Sequence, residues 1–247
     1  MKKLALGIIV FLLGATVVAA QSAGDLFNSA VNYGTSYRTA YLAYVQAKNQ
    51  YQQYHTGVTR VEAISKTNDV LVKRNQWVIA YLKFLRQTLA EVTNIATYPQ
   101  TVTYLDLEKN IAALEGLTSL GGGDNFAAIN TASQDWEKQM TQMDRMVLAA
   151  RMQVSSTRLA NFQDQLAGYL DAYRQEHATP SASQKTTLDL IGEKLNSSVQ
   201  LRQQTDALLA KYRTGFVSNA NYAQGLNDSH QALVESAKLL NELSRQP

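Results

Sequence analysis

The chain has 247 residues, 45% of them hydrophobic, and a formal net charge of +3, so it is long enough to form one or two domains with a sizeable core. It contains no cysteine, which excludes disulfides, thiolate metal sites and thiol nucleophiles. Its small excess of positive charge is far from the strongly basic balance of nucleic-acid-binding proteins, so no nucleic-acid partner is expected.

The first twenty residues have the pattern of a bacterial secretory signal peptide. Two lysines precede an uncharged apolar run that ends in small residues at Ala20. We therefore predict that residues 1–20 are a cleavable signal peptide and that 21–247 form the mature protein, in the periplasm or secreted. The alternative is an uncleaved anchor, because about 17 apolar residues are at the short limit for spanning a bilayer. In that case the protein would contact the membrane only through this segment.

The rest of the chain is predicted to consist of successive helices, because apolar residues recur three and four positions apart throughout it. We predict an all-α fold, an elongated antiparallel bundle of about five or six long helices with no sheet. The glycine-rich segment 118–125 predicts a loop or hinge, with Asp124 or Asn125 capping the helix that follows. Gly57 is predicted to stop the first helix, and Tyr98 with Pro99 to end the second. The predicted helices span 25–55, 61–97, 103–117, 126–177, 183–216 and 222–243.

The second predicted helix carries the clearest heptad pattern in the chain. A polar residue, Asn75, interrupts its apolar positions. A buried asparagine at such a position commonly fixes helix register or oligomeric state, so we predict that role for Asn75. The alternative is that Asn75 faces the edge of the bundle. The heptad positions are Leu71, Asn75, Val78, Leu82, Leu85, Leu89 and Val92.

The long fourth helix changes its apolar register near 154–157. After Val154 the next apolar positions belong to a new set that includes Leu159, Phe162, Leu166 and Tyr169. Such a stutter locally unwinds a supercoil, and the residues there are poor helix formers, so we expect a bend or a break. In the fifth helix, the middle segment 196–205 is unusually polar.

Tyrosines recur along one face of the first helix, at steps of three and four residues. Tyrosine rings on one stripe favour one of two interpretations: they pack into the bundle with their hydroxyls at its edge, or they form a surface that recognises a partner. The candidate partner-binding residues are Tyr33, Tyr37, Tyr41 and Tyr44.

Three methionines are the candidate ligands for a metal. Met140, Met143 and Met146 form an M-x-x-M-x-x-M pattern, and thioethers bind Cu(I). However, two steps of three residues spread the first and last side chains about 120° apart around a helix. The first two also fall on the apolar seam, so packing in the core is the favoured interpretation.

No catalytic motif is present, and no two histidines have the spacing of a helical metal site. We therefore predict no catalytic residues and no cofactor. The function predicted from the sequence is that of an exported, non-enzymatic helical bundle that acts as an interaction or assembly component of the bacterial cell envelope. Its partner would be another protein or a second copy of itself. The alternative is a periplasmic bundle that binds a small molecule or copper.

Overall fold

A computed structural model describes residues 21–92, 98–117, 123, 125–213 and 219–245. Within these ranges the chain forms helices and no strand, which confirms the predicted all-α bundle. None of these helices combines the length and the apolar character needed to cross a membrane. The predicted signal peptide lies outside the described residues. The six helices, α1 to α6, span Ala23–Tyr54, Gly57–Glu91, Tyr98–Gly116, Phe126–Glu176, Ala182–Arg213 and Asn219–Leu243.

Polar side chains cap α1, α2 and α4 at their N-termini. Ser22 accepts a hydrogen bond from a backbone N–H of α1, and Thr56 forms a capping box with Thr59 at the start of α2. Asn125 accepts from the N–H of Ala128 at 3.0 Å, so the expected cap of the long helix is confirmed.

Two residues that were predicted to stop a helix, Gly57 and Tyr98, instead begin one, although the predicted end of the first helix at 55 agrees with the end of α1 at Tyr54. The chain leaves α1 at His55, which takes a left-handed conformation with φ of 49°. Gly57, two residues later, therefore begins α2. Tyr98 begins α3, with Pro99 as its second residue, whereas α2 already ends at Glu91. Proline lacks the N–H that a first helical turn leaves unpaired, so it is tolerated there.

Helices α2 and α3 pack on the first half of α4, and α1 packs on α2. Helices α1 and α3 run antiparallel to α2, and the heptad of α2 faces α3 and α4. All seven predicted heptad positions are buried. Five of them, from Val78 to Val92, form one core with side chains of α3 and α4, which include Leu107, Ile111, Leu114, Trp136, Met143, Ala150 and Val154.

The second half of α4 packs with α5 and α6 as a three-helix bundle. Helix α4 has 51 residues, about 76 Å, and is continuous across 154–157, so the expected break is absent. At this point the helix passes from one core to another: Ala150 and Val154 face α2 and α3, whereas Ala149 and Met152 face α5 and α6. The change of apolar register therefore marks a change of packing partner within one helix.

The apolar register predicted for the second half of α4 is partly wrong. Phe162 and Tyr169 are 61% and 68% exposed, although they were expected in the seam. The buried positions are Leu159, Gln163, Leu166 and Leu170. The seam therefore contains a glutamine that apolar periodicity does not reveal.

Candidate partner-binding face

Helix α1 lies at the edge of the molecule and packs mainly against α2. Its buried residues are all alanines: Ala23, Ala30, Ala40 and Ala47. Alanine contacts let two helices approach closely, so the larger side chains of α1 are placed at the margins of the contact. The result is a helix whose aromatic residues stay partly in solvent.

The four predicted tyrosines lie at this margin, and none of them is fully buried. Tyr33 and Tyr41 are exposed, whereas Tyr37 and Tyr44 are half-buried. The ring of Tyr41 lies between its two neighbours, with centroids 6.3 Å from Tyr37 and 6.0 Å from Tyr44. The rings of Tyr37, Tyr41 and Tyr44 therefore form a short aromatic ladder along α1.

Trp77 of α2 anchors this ladder to the bundle. Its ring stacks on Tyr37 with a centroid distance of 5.5 Å and an interplanar angle of 9°. A Cβ atom on Gly34 would lie only 3.0 Å from Nε1 of Trp77, so the absence of a side chain lets the indole approach the backbone of α1. Trp77 is held from two sides and still remains 38% exposed.

A groove of about 490 Å³, here called the α1 groove, runs between α1 and α2 beside these rings. Phe27 and Val31 form its apolar wall and are each about half exposed, and Arg38 supplies a positive charge. Arg38 forms no ion pair within the described residues. Aromatic faces, aliphatic side chains and one guanidinium suit the recognition of an amphipathic surface. The α1 groove is lined by Phe27, Ala30, Val31, Gly34, Thr35, Tyr37, Arg38, Tyr41, Trp77 and Tyr81.

Asn75 is buried within the core, so the alternative that it faces the edge of the bundle is wrong. Its Nδ2 atom donates to the carbonyl oxygen of Leu114 at 2.9 Å, which joins α2 to the last turn of α3. Its Oδ1 atom has no hydrogen-bond partner among the described residues. This contact lies within one chain, and the predicted role in register or oligomeric state stays a prediction.

The three methionines pack around the first core. Met143 is 1% exposed, and Met140 and Met146 are partly buried against the same cluster. Nδ2 of Asn110 lies 3.3 Å from the sulfur of Met146. This arrangement is that of adaptable core side chains. Within the described ranges, no group of three or more histidine, aspartate or glutamate residues could hold a metal ion.

Sequence reasoning missed a buried polar network between α4, α5 and α6. Ser198 and Ser229 each donate a hydrogen bond to the other's backbone carbonyl, both at 2.7 Å. Nε2 of Gln163 donates to the hydroxyl of Ser198, and its Oε1 accepts from Nε of Arg202 at 2.7 Å. The polar segment 196–205 was the available signal, but the sequence does not show its partners on the other helices.

Asp206 extends this network toward the start of α6. Its carboxylate accepts hydrogen bonds from Ser156, Arg202 and Tyr222. Burial raises the pKa of the Tyr222 hydroxyl, and the neighbouring Asp206 carboxylate raises it further. Gln163, Ser198 and Ser229 are buried between three helices, whereas the side chains of Arg202 and Asp206 are 16% and 29% exposed, so the network fixes how these helices pack.

Arg74 forms a second buried polar contact, beneath the aromatic ladder. Its guanidinium carbon lies 3.4 Å from the centre of the Trp136 ring, in a close cation–π contact. Burial lowers the pKa of Arg74, while Tyr37 and Glu137 act in the opposite direction. Arg74 therefore links α2 to α4 directly behind the α1 contact.

Comparison of the chain with protein families, curated proteins and solved structures found no match.

Proposed function

We propose that this chain is an exported, non-enzymatic helical-bundle protein of the bacterial cell envelope, which binds a protein partner through the aromatic face of α1. The observation that carries the proposal is the exposure of that face. Tyr41 is 47% exposed and Phe27 is 50% exposed, beside a tryptophan that is held in place by its neighbours. Tyrosine and tryptophan are enriched where proteins bind one another.

Export is supported by the signal-peptide pattern of residues 1–20. N-terminal sequencing of the protein from the envelope fraction should begin at Gln21. A protein that begins at Met1 and stays in the membrane would instead be an anchored bundle.

A bundle that binds a small molecule receives less support. Ligand pockets usually enclose most of the ligand surface. The wall of the α1 groove is formed by side chains that are about half exposed, including Val31 at 49%. Such an open groove is better suited to a helix or a protein surface.

The test is site-specific photocrosslinking in the cells that make the protein. A photoreactive phenylalanine analogue at position 41 should crosslink to another polypeptide, which can be a second copy or a different protein. The same analogue at position 169 is the matched control, because Tyr169 is an exposed tyrosine of α4 outside this face. Equal crosslinking at both positions, or none at position 41, would reject the proposed binding face.

Mutation separates a binding role from a structural one. Tyr41→Ala should leave the free energy of unfolding within about 0.5 kcal/mol of wild type, because surface substitutions rarely cost more. It should still weaken partner association, as truncation of interface aromatics does. Adding Tyr37→Ala should also lower stability, because it removes the stack on Trp77. Urea unfolding and a binding measurement on the same variants check both effects.

A further inference from the structure

We propose that Gln21 is a modification site: once residues 1–20 are removed, its α-amino group attacks its own side-chain amide and closes a pyroglutamate ring. This inference rests on the proposed function, because it requires export with cleavage after Ala20. The signal-peptide pattern places that cleavage directly before a glutamine. A glutamine at the N-terminus carries an amide carbon at the distance from its own amine that closes a five-membered ring.

The reaction is an intramolecular exchange of amides in which Gln21 supplies every atom. The uncharged α-amino nitrogen forms a bond to the side-chain carbon Cδ, and the bond from Cδ to Nε2 breaks. The departing nitrogen takes one proton from the amine and leaves as ammonia. An α-amino group ordinarily has a pKa of about 7.7–8.0, so part of it is uncharged near neutral pH. Because the nucleophile and the carbonyl belong to one residue, the step is unimolecular and needs no co-reactant.

Gln21 lies outside the helical fold, so the ring can close without unfolding. The residue is exposed and precedes both α1 and its N-cap, Ser22. It forms no hydrogen bond within the described part of the chain. The side chain and the new α-amino group are therefore both free to rotate toward one another.

The residues directly after Gln21 are held in place by hydrogen bonds. Oγ of Ser22 accepts from the backbone N–H of Asp25 at 3.1 Å. The backbone N–H of Ala23 donates to Oε1 of Glu91 on α2 at 2.9 Å. Ring closure changes none of these groups, because it involves only the amine and the side chain of Gln21. We therefore expect the folded protein to cyclise about as readily as an unfolded peptide of the same sequence.

Cyclisation removes the positive charge and the primary amine from the mature N-terminus. The charge would lie beside the N-terminus of α1, where the helix dipole disfavours it but Asp25 and Glu91 favour it, so we expect little change in stability. The chemical consequence is larger. An aminopeptidase binds a free α-amino group, so it can no longer remove Gln21 after the ring has closed. The terminal residue that the fold leaves exposed is thereby protected.

Intact-mass spectrometry of the protein purified from the envelope fraction tests the inference. After incubation at neutral pH, the mass should be that of residues 21–247 less about 17 Da, the mass of ammonia. The measurement is made on undigested protein, because the ring can also close during digestion. Stepwise chemical degradation is blocked by a cyclised terminus, so mass spectrometry also has to identify the first residue.

The rate of ring closure tests whether the fold leaves Gln21 free. Protein with a freshly exposed terminus is prepared by cleaving an N-terminal fusion directly before Gln21. A synthetic peptide of residues 21–38 is the unfolded reference. The protein should lose ammonia at a rate within about threefold of the peptide, because both carry the same intramolecular reactants. An aminopeptidase should remove Gln21 from the fresh protein and leave the cyclised protein intact.

Gln21→Met is the matched control, because methionine has a similar length and lacks the side-chain carbonyl. The variant should keep the full mass of its sequence throughout the incubation. Equal loss of ammonia from the variant and from wild type would overturn the inference, because the ammonia would then come from another asparagine or glutamine.

The outcomes separate this inference from the proposed function. A protein that begins at Gln21 and keeps its full mass, while the peptide cyclises, would overturn the inference and leave export and the binding face of α1 standing. A protein that retains residues 1–20 in the envelope would overturn both the inference and the cleavable signal on which it rests.

Discussion

At the scale of single residues, glycines in helix interiors show how closely neighbouring helices approach. A Cβ atom on Gly225 of α6 would collide with the side chain of Thr205 on α5. Around Gly168 of α4, a Cβ atom would meet nothing within 4 Å. Both glycines cost helix stability relative to alanine, but only Gly225 has a packing reason to be there.

We therefore expect the same substitution to have opposite effects at these two positions. Gly168→Ala should raise the free energy of unfolding by about 0.5–1 kcal/mol through helix propensity. Gly225→Ala should lower it by about 1–3 kcal/mol, because the added methyl group forces α5 and α6 apart. Urea unfolding of the two variants beside wild type measures both changes. Stabilisation by Gly225→Ala would show that α5 and α6 do not pack this closely.

At the scale of elements, the spacing of apolar residues predicts the buried face of a helix well when that face contains apolar side chains alone. It located the buried face of α2 correctly, because Leu82, Leu85 and Leu89 repeat without exception. It failed on the second half of α4, because Gln163 occupies a buried position that the network with Ser198 stabilises. The hydrogen-bond partners of a polar side chain lie far away in the sequence, so their contribution could not be predicted.

The candidate binding face on α1 was only half predictable for a related reason. Spacing places Tyr33, Tyr37, Tyr41 and Tyr44 on one side of the helix. The same spacing is expected whether that side faces the core or the solvent. The burial of Ala30, Ala40 and the other alanines is what keeps the rings from full burial, because α2 packs on these alanines and leaves the rings at the margin. The groove itself also needs Trp77, whose stacking on Tyr37 is a contact between two helices.

The buried network gives α6 a distinctive dependence on pH. Burial and the adjacent Asp206 raise the pKa of Tyr222, so the folded protein keeps this hydroxyl neutral above the pH at which the unfolded chain ionises, about 10. A raised pKa contributes stability that is complete below that pH and is lost as the pH rises through it. The docking of α6 should therefore weaken in alkaline solution.

Tyr222→Phe tests this dependence. At neutral pH the variant should lose about 1 kcal/mol, because the hydroxyl no longer donates to Met152 and Asp206. From pH 9 to about pH 11, the free energy of unfolding should fall less steeply in the variant than in wild type. Tyr169→Phe, at an exposed tyrosine, should keep the wild-type slope. Parallel pH profiles for wild type and Tyr222→Phe in urea unfolding would contradict the prediction.

At the scale of the whole molecule, α4 is the element that two cores share. Its first half packs with α2 and α3, and its second half with α5 and α6. Because α4 is one continuous helix, unfolding of the half that packs in one core removes backbone hydrogen bonds from the neighbouring turns of the half that packs in the other core. The protein should therefore unfold as one cooperative unit, although its apolar side chains form separate clusters.

Ser155→Pro should break this coupling. Ser155 is exposed near the junction, so proline there removes a helical hydrogen bond and disturbs the preceding turn, at a cost of about 3 kcal/mol, without opening either core. Both tryptophans, Trp77 and Trp136, lie in the first half of the molecule, so their fluorescence follows that half alone, whereas circular dichroism follows all helices. In wild type and in Ser155→Ala the two thermal transitions should coincide, and in Ser155→Pro they should separate. If they still coincide in the proline variant, the two halves are coupled through contacts other than the continuity of α4.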